Sequence, residues 1–296
     1  MKASAVRVGS FEPGSREWNA VRSMGLGGSE IAAVMNISPY ESAFSLWNRK
    51  RGLIAPASSN DAMRRGHRLE SVVAEWFAEQ HPKYRVRRTG MWANRQRPWQ
   101  LATPDRMLTG LGERSLLKIK TVADLFEWGR RGTDEVPNYV RCQVMWQLDA
   151  LGLNRAHVAV LTTNLEFRSY LVEWNLTEAE ALRAAARKFL DSVDRGVRPE
   201  IDEHVATYRA VRELHPEIDD TEVEIEPGLA EQYRAAVADH KRAEAVKLRA
   251  TSEVLDALGR HRRALVDGES VAIRVPGRNG AAPSLRPSSV RAGAAA

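Results

Sequence analysis

An acid, Asp105, and two lysines, Lys118 and Lys120, stand within residues 101–121, LATPDRMLTGLGERSLLKIKT. The stretch reads as two short strands joined by a turn at Gly110-Leu111-Gly112. Side chains alternate along a strand, so Lys118 and Lys120 share one face and Leu117, Ile119 and Thr121 take the other. Two lysines on the inner face of a short strand, beside an acid, exceed what a core strand needs. The chemistry they could serve is phosphodiester hydrolysis. That reaction needs a water made nucleophilic and a leaving oxygen stabilised. One or two Mg²⁺ ions, held by a few carboxylates and the substrate phosphate, do both. A nearby lysine orients the water or neutralises developing charge. The minimal kit is therefore an acid followed, after a gap, by Glu-x-Lys on one strand face. Here the triplet is Lys118-Ile119-Lys120.

The elements that must position these residues can be read in order. Residues 16–23 form a short helical turn with Ser15 as cap. Gly25-Leu26-Gly27-Gly28-Ser29-Glu30 then feeds an apolar run at 31–35. A Gly-rich turn before a helix aims backbone N–H groups at an anion. A tight turn with an N-cap explains the same residues, and the spacing is not that of a nucleotide-binding P-loop. Residues 42–51 read as a helix, 56–61 as a loop, and 62–80 as a helix with Leu69, Val72, Val73, Trp76 and Phe77 on one stripe and Glu70 beside it. Residues 84–93 read as one strand carrying Arg85, Arg87 and Arg88, either along a DNA backbone or simply solvated. Pro137 opens a helix over 138–151, with Gln143 and Gln147 one turn apart. Residues 155–163 and 167–174 are strands. Thr177 is expected to cap a helix ending near Arg195, with Glu180 in the capping-box position. Helices, a hairpin, a helix, two strands and a helix make a mixed α/β core.

Beyond residue 200 the composition changes. A helical piece at 204–214, an acidic link, a long Ala-, Glu- and Arg-rich helix at 228–262 and a strand at 266–275 after an Asp-Gly turn precede a tail from Pro276 expected to be disordered. The expected organisation is 1–200, 201–275 and 276–296.

The formal net charge of +6 over 296 residues suits a negatively charged partner, nucleic acid first. The lone cysteine, Cys142, excludes an internal disulfide and fits a reducing cytoplasm. No apolar run approaches the ~20 residues of a membrane span, and the N-terminus lacks the apolar core of a signal peptide. His67 and His157 have no His or Cys partner at metal spacing, so zinc is not expected. The tryptophans are core or interface anchors by default.

Five short motifs in order give the chain a resemblance to the YqaJ-like viral recombinases, relatives of phage lambda exonuclease and RecE within the PD-(D/E)xK nucleases. They are Arg22-x6-Ser29 leading into GGSEIAAVM, Gly66-His67-Arg68-Leu69-Glu70, Ala102-Thr103-Pro104-Asp105, Lys120-Thr121, and Val136-Pro137-x-Tyr139 followed by Gln143. The resemblance covers roughly residues 15–200. It implies a restriction-endonuclease-like core, a mixed central sheet flanked by helices, with a C-terminal helical appendage. It implies an Mg²⁺-dependent (or Mn²⁺-dependent) 5′→3′ exonuclease on double-stranded DNA ends, leaving 3′ overhangs for phage homologous recombination in the host cytoplasm. Glu70 and Asp105 would hold metal, Lys120 and Gln143 would position the water, and Arg22, Ser29 and Thr103 would receive the 5′ phosphate. Relatives form homo-oligomeric rings around DNA and work with a single-strand annealing protein.

One position departs from the pattern. The family's Glu-x-Lys would place a carboxylate at 118, where this chain has Lys118. An ammonium is a poor ligand for Mg²⁺, which wants hard oxygen donors, so slow or absent cleavage is expected. Three accounts stand side by side: an engineered inactivating substitution in a protein whose native residue is Glu, a native lysine in a homologue that binds DNA ends without cutting, or another acid such as Glu113 supplying the ligand. A structural or assembly role with incidental basic charge is the remaining class, and salt-dependent DNA binding would eliminate it.

Overall fold

Local signals start most of the elements. In the computed structural model, which describes residues 4–56, 60–277 and 280–288, Ser15, Ser42 and Asn60 each accept a backbone N–H at a helix start. The chain forms two units, Met1–Ile218 and Asp219–Ala296. The first contains β1 (Ala5–Gly9), α1 (Arg16–Ser23), β2 (Leu26–Gly27), α2 (Ile31–Val34), α3 (Ala43–Lys50), α4 (Asp61–Gln80), β3 (Arg85–Arg87), β4 (Met91–Asn94), β5 (Gln100–Ala102), β6 (Arg106–Gly110), β7 (Glu113–Val122), α5 (Asn138–Leu151), β8 (Arg155–Thr162), β9 (Phe167–Glu173), α6 (Leu176–Arg195) and α7 (Val205–Leu214).

The central sheet has the order β3-β6-β7-β8-β9. Only β7 and β8 run parallel; the other pairs are antiparallel. A parallel pair needs a crossover, and α5 supplies it. The expected mixed α/β core is the one present. Leu117 and Ile119 of β7 pack with Val73 and Phe77 of α4 on one face, while Leu116 packs with Val140, Val144 and Trp146 of α5 on the other. Lys118 and Lys120 therefore lie on the α5 side by alternation. The β6–β7 turn has Leu111 and Gly112 both at positive φ (53° and 80°), the backbone that suits a two-residue hairpin.

Several expectations need correction. Residues 101–102 belong not to the hairpin but to β5, in a second sheet of order β1-β4-β5-β2. The single strand expected at 84–93 is split between the two sheets. Gly90 marks the break, for a Cβ there would lie 2.1 Å from the Gly9 carbonyl oxygen. The cap of α6 is Asn175, whose side chain accepts from the Glu178 N–H, and Thr177 lies inside the helix. The helix after the Gly-rich turn is only one turn long, α2.

By compactness the first unit runs to Ile218. The reason is α7, whose Ala210, Val211 and Leu214 pack on Phe44 of α3 and Ile54. The second unit comprises α8 (Pro227–Leu258), β10 (Arg263–Val266), β11 (Glu269–Val275) and β12 (Ser284–Pro287), the strands forming an antiparallel sheet. Part of the tail expected to lack structure is thus β12; residues 278–279 and 289–296 lie outside the described residues. Only Leu258 of α8 is buried. Among the described residues no helix is long and apolar enough to cross a membrane.

Candidate functional site

Asp105 precedes β6, and β7 runs beside it. Its Oδ1 accepts from Lys118 Nζ at 2.9 Å and its Oδ2 from the Ile119 backbone N–H at 2.6 Å. Lys118 is 8% exposed. The next residue, Arg106, is buried, forms an ion pair with Glu70 of α4, and donates to the Asp105 carbonyl at 2.6 Å. Gly66, one turn before Glu70, faces Thr121 of β7, where a Cβ would lie 3.4 Å from the hydroxyl oxygen. Lys120 Nζ donates to Gln143 Oε1 of α5 at 2.8 Å and lies 5.8 Å from the Tyr139 ring centroid. Burial, reinforced by the Lys118 charge and opposed by Asp105, pushes the Lys120 ammonium down to about 7. Lys120 is thus a cation that gives up its proton easily, held against an amide oxygen.

The structure therefore brings together Asp105, Lys118, Lys120 and Gln143, all of which the sequence suggested, and ties Glu70 to them only through Arg106, which donates to the Asp105 carbonyl. It adds Arg106, which the sequence reading passed over, since a buried arginine opposite a helix carboxylate leaves no periodic trace.

The arrangement does not fit Mg²⁺ as it stands. Each of the two acids is paired with a cation of the chain, Glu70 with Arg106 and Asp105 with Lys118. Among the described residues, no group of three or more His, Cys, Asp or Glu could hold a metal ion. Glu113 does not replace the missing ligand. It sits at the far end of β7, five residues and roughly 16 Å from Lys118, and pairs with Arg155 at 3.1 Å.

A second cluster adjoins the first. Arg22 Nη1 and Nη2 both donate to Ser29 Oγ at 3.2 Å, and the guanidinium lies over the Trp18 ring at 4.5 Å. Its Nη2 also pairs with Glu30 Oε1 at 2.8 Å, and Lys50 Nζ reaches the same oxygen at 2.9 Å. The Gly27 N–H, which a turn-borne anion site would offer outward, donates instead to Glu30 Oε2 at 2.7 Å. The turn carrying these residues presses on α5 at Gly28, where a Cβ would lie 3.1 Å from both the Gln143 carbonyl oxygen and Gln147 Cγ. Gln147 Nε2 in turn donates to the Thr103 carbonyl at 3.1 Å, while Thr103 itself is exposed. Arg22, Ser29 and Thr103 thus stand beside the Gln143 end of the centre. Glu30, Lys50 and Gln147 were not singled out by sequence; Gln147 was visible only as the residue one turn after Gln143.

Arg85, Arg87 and Arg88 are exposed, the first two on the edge strand β3. Of the tryptophans, Trp47, Trp128 and Trp146 are buried anchors.

Residues 17–154 match the model of the YqaJ-like viral recombinase domain. The uncharacterized protein YqaJ of Bacillus subtilis (strain 168) is 29% identical over 171 residues. That alignment covers 56% of this chain and about half, 52%, of the relative. Among solved structures, the alkaline exonuclease LHK-Exo from Laribacter hongkongensis is 16% identical, with a TM-score of 0.46 over 62% of this chain and 94% of that one. Its complex with dAMP gives 0.48 at the same identity and coverage. A phage-related exonuclease from Haemophilus somnus 129PT is 8% identical, with a TM-score of 0.43 over 60% of this chain and 98% of that one.

Proposed function

We propose that this chain, which carries a YqaJ-like viral recombinase domain, acts on the ends of double-stranded DNA in recombination, on a scaffold built for 5′→3′ exonucleolytic cutting, and that in this sequence it holds ends far better than it cuts them. The observation that carries the reading is the Lys118–Asp105 ion pair. It occupies the acid on which a divalent metal, Mg²⁺ or Mn²⁺, would depend, and puts a positive charge where a ligand would stand. Glu70, the other acid, is engaged by Arg106.

Three cations, Arg106, Lys118 and Lys120, stand against two carboxylates, Glu70 and Asp105. While Lys120 keeps its proton, the balance is positive and attracts a phosphodiester. Arg22 and Ser29 receive the terminal 5′ phosphate, with Thr103 beside them, and an arginine fork suits that ligand. Lys120 and Gln143 hold one another where a water would be oriented. A naturally non-catalytic end-binding protein on the same fold is the second reading, and the same ion pair favours it. A ring of copies around DNA and a single-strand annealing protein are the partners the family suggests, and they rest on that likeness alone.

Lys118→Glu tests the reading, assayed on linear duplex DNA with Mg²⁺ or Mn²⁺. Digestion is expected to rise on the order of a hundred-fold, the scale of restoring one electrostatic contact at a reacting centre. If the variant folds and digestion does not rise, position 118 is not the missing ligand.

A further inference from the structure

The Arg22 cluster contains more than a phosphate receptor needs. Its buried carboxylate, Glu30, is 7% exposed and fully committed: Oε1 to Arg22 and Lys50, Oε2 to the Gly27 N–H. Lys50, on α3, is equally committed. Its Nζ donates to the Arg22 carbonyl and the Gly25 carbonyl, each at 2.6 Å, as well as reaching Glu30. Three acceptors satisfy its three N–H donors.

The geometry points to Glu30 as the positioning residue that aims the Arg22 guanidinium at a terminal phosphate, with Lys50 fixing Glu30 and the turn in place. Arg22 is held in place by this arrangement while part of its edge stays open. Trp18 lies against its face, Ser29 Oγ bridges its two terminal nitrogens, Glu30 holds Nη2, and Gly27 leaves room beneath, since a Cβ there would be 3.1 Å from Nη1. A long side chain ordinarily gives up rotamer freedom when it binds a ligand; here that freedom is already lost in the folded chain.

The charge count supports the same conclusion. Two cations face one carboxylate, so the cluster keeps one positive charge for an incoming anion. The carboxylate is held down at about 2, with the neighbouring Arg22 and Lys50 charges outweighing the burial that opposes ionisation, so it stays ionised wherever DNA is stable. A terminal phosphate carries more charge than an internal phosphodiester, so the cluster would discriminate between 5′-phosphorylated and 5′-hydroxyl ends. This inference rests on the reading of Arg22 and Ser29 as the 5′-phosphate site.

The experiment measures affinity of the full chain for linear duplexes bearing 5′-phosphate or 5′-hydroxyl ends, in chelator so that no cleavage intervenes. The unmodified chain is expected to favour phosphorylated ends. Glu30→Gln is expected to reduce that ratio about ten-fold, the worth of a well-aimed charge-assisted hydrogen bond. Glu30→Asp, which keeps the charge but draws the carboxylate back from Arg22, is expected to reduce it about three-fold, and decides the matter if Glu30→Gln does not fold. A ratio lost in Arg22→Ala but kept in folded Glu30→Gln or Glu30→Asp overturns the inference and leaves the phosphate site standing. No preference in the unmodified chain overturns both.

Discussion

Two clusters in the same unit each set a carboxylate, buried at Glu30 and half-buried at Asp105, against cations of the chain, and they do so to different ends. At Glu30 the acid gathers cations from α1 and α3 and leaves an arginine edge partly open, with the Arg22 side chain 16% exposed. At Asp105 the acid is itself the group that chemistry would want open, and the chain closes it with Lys118 from the adjoining strand. In the first cluster pairing organises a cation for use. In the second it takes an anion out of use. The nature of a carboxylate is thus set less by its burial than by which partner is left with free valences.

The contrast can be broken by removing each acid in turn. Glu30→Ala leaves two cations without their carboxylate and is expected to be the more damaging, about 4 kcal/mol in urea unfolding; Asp105→Ala leaves one cation, Lys118, and the Ile119 N–H unpaired and is expected to cost about 3 kcal/mol. Adding Lys118→Met to Asp105→Ala is expected to recover most of that loss, because an apolar isostere replaces the pair without an orphan charge. Equal costs for the two single variants would erase the distinction drawn between the clusters.

Acid titration sharpens it with a smaller effect. Glu30 ionises at about 2 in the folded chain against an ordinary 4.5. Its pairing therefore stabilises fully above about 4.5 and is lost as pH falls toward 2. A separate loss comes earlier from His157, pushed down to about 4 from 6.5 by burial, His81 and Arg155 among the rings of Phe77, His81 and Tyr84. The unfolded chain takes up this proton below 6.5 and the folded chain resists it, so stability falls between 6.5 and 4. His157→Phe is expected to flatten the upper window only, and Glu30→Gln the lower only, in unfolding measured across pH. The smallest expected change is at an exposed pair far from any such crowding: Arg249→Ala, which breaks Arg249–Glu253 on α8, is expected to shift stability by under about 0.5 kcal/mol.

Much of this was legible from sequence where the signal is local. The helix of Gln143, the hairpin turn at Leu111-Gly112 and the alternation that puts Lys118 and Lys120 on one face all follow from short-range periodicity and turn chemistry. What was not legible depends on approach between distant segments. Gly90 breaks a strand because Gly9 comes close behind it. Asn175 rather than Thr177 caps α6 because of which side chain reaches the free N–H. Glu30 looked like one more polar residue after Ser29, since nothing nearby in sequence announces that Lys50 will meet it.

The long helix α8 carries a consequence of its own. Its 32 residues make a rod about 48 Å in length, of which only Leu258 near the end is buried. Tertiary burial ordinarily supplies most of a helix's support; here alanine, glutamate, lysine and arginine must supply it through intrinsic propensity and i,i+4 pairs such as His240–Glu244 and Arg249–Glu253. Such a rod frays from its free end by degrees rather than collapsing with the sheet, so its amide protons should exchange with solvent long before those of α5, and the chain should show two distinct melting behaviours.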